Sequence, residues 1–105
     1  MKKPSSDGTR FGTLAVHAEQ EPEPMTGAIV PPIFQTSTYV QPDVAAPKQG
    51  YDYARVKNPT VEALERKVAA LEDGTHGIAF SSGLAAIEAV VKRLSAGDHV
   101  VCEEN

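Results

Sequence analysis

Two short stretches of this chain hold the residues best able to do chemistry, and in both the chemistry is the holding of an anion. The first is Phe80-Ser81-Ser82-Gly83-Leu84-Ala85-Ala86, small polar residues and a glycine at the point where a short apolar run gives way to a helical pattern. Where a helix leaves the end of a strand, its first N–H groups lack partners and the positive end of its dipole faces outward, which suits a phosphate. Gly83 would let such a ligand approach the backbone closely. A plainer reading of the same residues makes Ser81 or Ser82 an N-cap and Gly83 an aid to packing. The second stretch is Gly50-Tyr51-Asp52-Tyr53-Ala54-Arg55-Val56-Lys57-Asn58-Pro59-Thr60. In an extended segment Tyr53 and Arg55 point to the same side, so a phenol and a guanidinium could close on one anion. Their plainer reading is as surface or packing residues. The Ser-Ser-Gly turn is neither a P-loop nor a G-x-G-x-x-G fingerprint.

The remaining reactive side chains read as ordinary ones. Lys67 and Lys92 fall on polar helix faces, and Lys48 and Lys57 lie in loops near prolines, so all four are expected to be solvated. Cys102 adjoins Glu103 and Glu104, whose charge opposes thiolate formation, and it reads as a small core residue. His99 beside Asp98 fits a strand-entry turn, and His76 a turn after Gly74. The three histidines stand far apart and there is one cysteine, so neither a zinc site nor an internal disulfide is expected. No catalytic residue is assigned within the chain.

The elements that must position these residues begin at Asn58-Pro59, a helix start in which Asn accepts from a free backbone N–H and Pro occupies the first turn. Val61, Leu64, Val68 and Leu71 make one apolar stripe, Glu62 and Arg66 are placed to pair on the outer face, and Asp73-Gly74 is the stop. Gly77–Phe80 reads as a short strand. A second helix follows, with Leu84, Ile87, Val90, Val91 and Leu94 on its inner side, ending before Ser95-Ala96-Gly97-Asp98. His99–Cys102 begins another strand. Strand, helix, strand is a βαβ unit, so the fold class is α/β with a parallel sheet and a right-handed crossover.

Ahead of these elements, residues 1 to about 12 are polar, and Glu19-Gln20-Glu21-Pro22-Glu23-Pro24 alternates acid with proline. The run from Ile29 to Val40 contains Pro31-Pro32, so it should be extended and is no central strand. Pro42 and Pro47 carry a loop to Gly50. The chain therefore divides into an extended N-terminal arm and loop, 1–57, and the beginning of an α/β domain, 58–105. A two-strand parallel sheet leaves exposed edges, so this unit is expected to be part of a larger chain.

Composition narrows the partners. The 105 residues are 41% apolar, and a net charge of −4 comes from 10 basic and 14 acidic residues interspersed along the chain. With no basic stripe, nucleic acid and anionic membrane are poor partners. No apolar run has the length of a bilayer span, and Met1–Asp7 lacks the apolar segment of a signal peptide. The cytoplasm is the expected compartment.

Taken in order, G-Y-D-Y-A-R-V-K-N-P-T, L-E-R-K-V-A-A-L-E-D-G, A-F-S-S-G-L-A-A-I and G-D-H-V-V resemble the N-terminal part of the Cys/Met-metabolism enzymes that depend on pyridoxal 5'-phosphate (PLP). Thr13–Ala18 and Pro31–Tyr39 fit the same pattern, so the resemblance covers nearly all of residues 12 to 102. It implies the start of a PLP fold-type-I, aspartate aminotransferase-like large domain. It further implies that Gly83 and Leu84 offer backbone N–H groups to the PLP phosphate, while Tyr53 and Arg55 reach the phosphate of the cofactor held by a neighbouring subunit. The implied assembly is a homo-oligomer, a tetramer built from dimers. The implied reaction is γ-replacement or γ-elimination on a homoserine-derived or sulfur amino acid, of the cystathionine γ-synthase or γ-lyase type. Methionine γ-lyase and O-acetylhomoserine sulfhydrylase chemistry stay open.

Ala54 stands where the family often has Ser or Thr, and Leu84 where it often has Met. Neither change removes a needed group, since Leu84 would act through its backbone. The lysine that forms the Schiff base, the carboxylate on the pyridine nitrogen, the anchor for the substrate carboxylate and the tyrosine that stacks on the ring all lie, in the family, beyond the position of Asn105. The chain taken alone is therefore expected to be inactive. The alternative is a non-catalytic fragment, or a phosphate-binding or interaction module.

Overall fold

The computed structural model describes residues 10–44 and 50–103. Residues 1–9, the loop 45–49 with Pro47 and Lys48, and Glu104-Asn105 lie outside the described residues. Three helices are present among the described residues: α1 (Phe11–His17), α2 (Pro59–Leu71) and α3 (Gly83–Val91).

Helix α2 forms as its sequence signals demand. The Asn58 side chain accepts from the Thr60 N–H at 2.8 Å, and Pro59 occupies the first turn. At the other end the Gly74 N–H reaches back to the Ala69 carbonyl at 2.7 Å, with Asp73 in the left-handed region at φ 51°. This closes the helix in a six-to-one bond. Asp73, not the glycine beside it, adopts the positive φ.

Helix α1 was not foreseen, for residues 10–18 fall in a region read as an extended arm. A helix of 7 residues is far too short to persist by propensity. It packs on α2 instead, and the Lys67 ammonium donates to the Val16 carbonyl at 3.0 Å and to the Gln20 side-chain oxygen at 2.9 Å. Lys67 is thus a tie between helices, and the expectation of a free, solvated side chain is corrected. The chain then turns through residues 23–28, where the Glu23 carboxylate accepts from both the backbone and the hydroxyl of Thr26. It runs back over the start of α2, where Phe34 N–H donates to the Thr60 hydroxyl at 2.8 Å and the Asn58 amide to the Phe34 carbonyl at 3.0 Å.

The expected parallel sheet is absent from the described residues: neither 77–80 nor 99–102 forms a strand ladder. A strand has no internal hydrogen bonds, so its pattern becomes structure only beside a neighbour. Segment 77–80 lies against α2 instead, with Ala79 N–H donating to the Glu65 carboxylate at 2.8 Å. Helix α3 is capped by Ser82, whose hydroxyl accepts from Ala85 N–H at 3.2 Å. Its apolar side, expected to face inward, is open, with Leu84 76% and Val90 66% exposed. Cys102, expected in a core, is exposed as well. The stripe on α2 is half-covered, and Ala69 is the buried apolar residue among those described. A radius of gyration of 17.6 Å, against about 13 Å for a closed domain of this length, agrees with elements not gathered around one core.

Candidate functional site

The loop that carries Tyr53 and Arg55 is held at both ends. Gly50 enters it at φ 81°, a conformation that glycine adopts without strain. The Tyr51 ring stacks at a tilt on Tyr39, centroids 5.4 Å apart, and the Lys57 ammonium lies over the Tyr51 ring, 4.9 Å from its centroid. One oxygen of the Glu62 carboxylate accepts from the Tyr51 hydroxyl, and the other pairs with Lys57 at 3.2 Å. Desolvation first, and the bond to Glu62 second, push the Tyr51 phenol up to about 12. Desolvation also works to raise Glu62, but the bonds from Tyr51 and Lys57 outweigh it and hold this carboxyl below the usual carboxylate range. The expected outer-face pair of Glu62 with Arg66 gives way to these two partners.

The loop is tied to the preceding segment, for Thr38 and Tyr53 form an antiparallel bridge, flanked by Tyr39 N–H to Asp52 carbonyl at 3.0 Å and Ala54 N–H to Ser37 carbonyl at 2.8 Å. After Tyr53 the chain folds over: the Tyr53 carbonyl accepts from Val56 and Lys57 N–H at 2.9 and 3.0 Å. Residues 53–57 are therefore a turn, and the extended geometry expected for them is corrected. Tyr53 and Arg55 nevertheless meet. The Arg55 guanidinium stands over the Tyr53 ring, 5.0 Å from its centroid, with Arg55 exposed and Tyr53 half-buried. A turn, not strand alternation, brings the donors together.

At α3, the capping reading of Ser81-Ser82-Gly83 is the one observed. Ser82 is the cap, and the first intrahelical bond is from Ala86 N–H to the Ser82 carbonyl at 3.2 Å. The N–H groups of Gly83 and Leu84 precede it, in the first turn where a helix leaves its N–H groups without intrahelical partners. Beyond its chain neighbours and its own helix backbone, no heavy atom lies within 4 Å of where a Cβ on Gly83 would sit. No hydrogen bond or ion pair joins this helix end to Tyr53 or Arg55 among the described residues. Of the other candidate amines, Lys57 is engaged by Glu62, and Lys92 pairs with Glu88 at 2.7 Å along α3.

A family model for Cys/Met metabolism PLP-dependent enzymes matches residues 12–105. The chain belongs to this family. It is 48% identical over 95 residues to a probable cystathionine γ-synthase of Herpetosiphon aurantiacus, covering 90% of this chain and 30% of that protein. It is 51% identical over 93 residues to a cystathionine β-lyase of Coxiella burnetii, covering 89% of this chain and 24% of that protein. Its fold superposes on the crystal structure of metB from Corynebacterium glutamicum with a TM-score of 0.78 at 43% identity, over 88% of this chain and 24% of that one. The chain thus spans under a third of the length of these relatives.

Membership in the family makes PLP the expected cofactor, and the residues present fit its phosphate end. An exposed guanidinium beside a phenol, and a helix start whose glycine leaves open space, are donors of the kind a phosphate dianion takes. The network at Glu62 was missed from the sequence. Tyr51 and Glu62 are 11 positions apart on a loop and a helix, and no periodicity links such positions.

Proposed function

We propose that the whole protein is a PLP-dependent transsulfuration enzyme that makes or breaks the carbon–sulfur bonds of cystathionine-type amino acids. The finer reading is γ-replacement on a homoserine-derived substrate or γ-elimination on cystathionine, in a cytoplasmic homotetramer built from dimers. The observation that carries it is the Tyr53–Arg55 turn, a paired phenol and guanidinium standing in the same chain segment that matches the family through residues 12–105. In this reading Gly83 and Leu84 hold the PLP phosphate through backbone N–H groups and the α3 dipole. Tyr53 and Arg55 reach the phosphate bound by a neighbouring subunit. PLP, when bound, supplies the electron sink that the chemistry needs. The 105-residue stretch by itself supplies phosphate donors and no reacting group.

The relatives include β-lyases beside γ-synthases, so the position of bond cleavage is the property to measure. The purified full-length protein should be supplied with PLP and given cystathionine, or an O-acylated homoserine with cysteine. Cysteine and 2-oxobutyrate as products mark γ-elimination, and new cystathionine from the second mixture marks γ-replacement. Homocysteine and pyruvate from cystathionine would replace the γ reading with β-elimination. Absence of all three turnovers would overturn the proposal.

A further inference from the structure

We infer that Glu62 is a positioning residue for the phosphate-binding turn: its carboxylate holds both ends of the 51–57 loop and so presents Tyr53 and Arg55 together. This rests on the reading of Tyr53 and Arg55 as phosphate donors. The geometry is a clasp. Tyr51, at the entry of the loop, donates its hydroxyl to one Glu62 oxygen, and Lys57, at the exit, pairs with the other at 3.2 Å. Between these two fixed points lie the Tyr53 turn and the Arg55–Tyr53 stack.

Several independent features serve the same arrangement. Glu62 sits in the first turn of α2, where the helix dipole favours a carboxylate. The Lys57 ammonium contacts both the Glu62 carboxylate and the Tyr51 ring, so the two ends of the loop also touch each other. Tyr51 is backed by Tyr39, which follows the strand bridge between Thr38 and Tyr53. Glu62 forgoes the helical i,i+4 partner Arg66 that its spacing offered. Without the clasp, residues 51–57 would regain backbone freedom that must be surrendered each time Arg55 and Tyr53 close on a phosphate.

The test uses the full-length protein and two measurements, equilibrium binding of PLP to the cofactor-free enzyme and the rate of trypsin cleavage after Lys57 read by mass spectrometry. Glu62→Gln keeps the size of the side chain and removes the charge that Lys57 needs. It should weaken PLP binding on the order of tenfold, as for the loss of one charge-assisted contact. It should also speed cleavage after Lys57. Because Glu62 acts through Arg55 and Tyr53, the double variant with Arg55→Ala should bind PLP little worse than Arg55→Ala alone. Unchanged affinity and cleavage in Glu62→Gln and Glu62→Ala, with Arg55→Ala weakened, would overturn the inference and leave the phosphate reading intact. Fully additive losses in the double variant would overturn it too, since they mark general destabilisation. Wild-type affinity in both Arg55→Ala and Tyr53→Phe would remove the phosphate reading itself, and this inference with it.

Discussion

Gly77 approaches Glu65 so closely that a Cβ on Gly77 would overlap the Glu65 carbonyl oxygen and lie 3.2 Å from its Cα. Two residues later Ala79 N–H donates to the Glu65 side chain at 2.8 Å. Together these contacts dock the segment leading to Ser82 and α3 against the middle of α2. Backbone atoms cannot swing aside as a side chain can, so Gly77→Ala should force the segment off α2. The expected cost is about 1 to 3 kcal/mol, typical of overpacking, read as a lower thermal or denaturant midpoint of the full-length protein. An unchanged midpoint would show that the close approach is not kept in solution.

The Tyr51–Glu62 bond makes a spectroscopic prediction. A phenol raised to about 12 from an ordinary 10.0 should appear as a late transition in an ultraviolet pH titration, lost in Tyr51→Phe. For a group whose folded value is raised, the stabilisation is complete below the unfolded value and fades as pH rises through the folded one. Tyr51 thus contributes below pH 10.0 and loses that contribution toward about 12. Glu62 has the opposite sign. Its folded value is depressed, so its contribution is present above the ordinary carboxylate range and fades as pH falls through the depressed value. Glu62→Gln should flatten this acid limb, and a wild-type acid limb in that variant would count against the assignment.

Leu84 and Gly83 separate backbone from side-chain roles. If the donors at α3 are N–H groups, Leu84→Met should leave PLP affinity almost unchanged, while Gly83→Val should weaken it strongly by blocking close approach. Beyond its chain neighbours and its own helix backbone, nothing lies within 4 Å of the Gly83 Cβ position, so a loss of affinity in a Gly83→Val variant that keeps its helical circular dichroism reports on the ligand. Equal PLP affinity in Gly83→Val would remove α3 from the cofactor site.

Arg55 provides the test of action across subunits. Arg55→Ala should lower PLP affinity by about 1.5 to 3 kcal/mol, the range of a charge-assisted bond. Full-length subunits carrying Arg55→Ala, mixed and exchanged with subunits lacking the Schiff-base lysine, should regain activity, because one mixed site combines an intact lysine with an intact Arg55. Mixtures as inactive as either parent would place Tyr53 and Arg55 in their own subunit's site.

What the sequence alone determined was local. Asn58 caps α2 and Pro59 opens it, Asp73-Gly74 closes it, and Ser82 caps α3, because each signal is a bond between residues a few positions apart. The family was legible for the same reason, in short ordered motifs from Thr13 to Val101. What tertiary structure decided was every relationship across distance. Lys67 reaches Val16 over 51 positions and stabilises a helix too short to stand alone, and Glu62 turns from Arg66 to Tyr51 and Lys57. Tyr53 and Arg55 meet through a turn where alternation foretold an extended segment. Gly77–Phe80 and His99–Cys102 carry a strand pattern, yet no ladder forms among the described residues. A helix satisfies its own backbone within a few residues, whereas a strand takes every hydrogen bond from a neighbour, so the helices were readable one by one and the sheet was not.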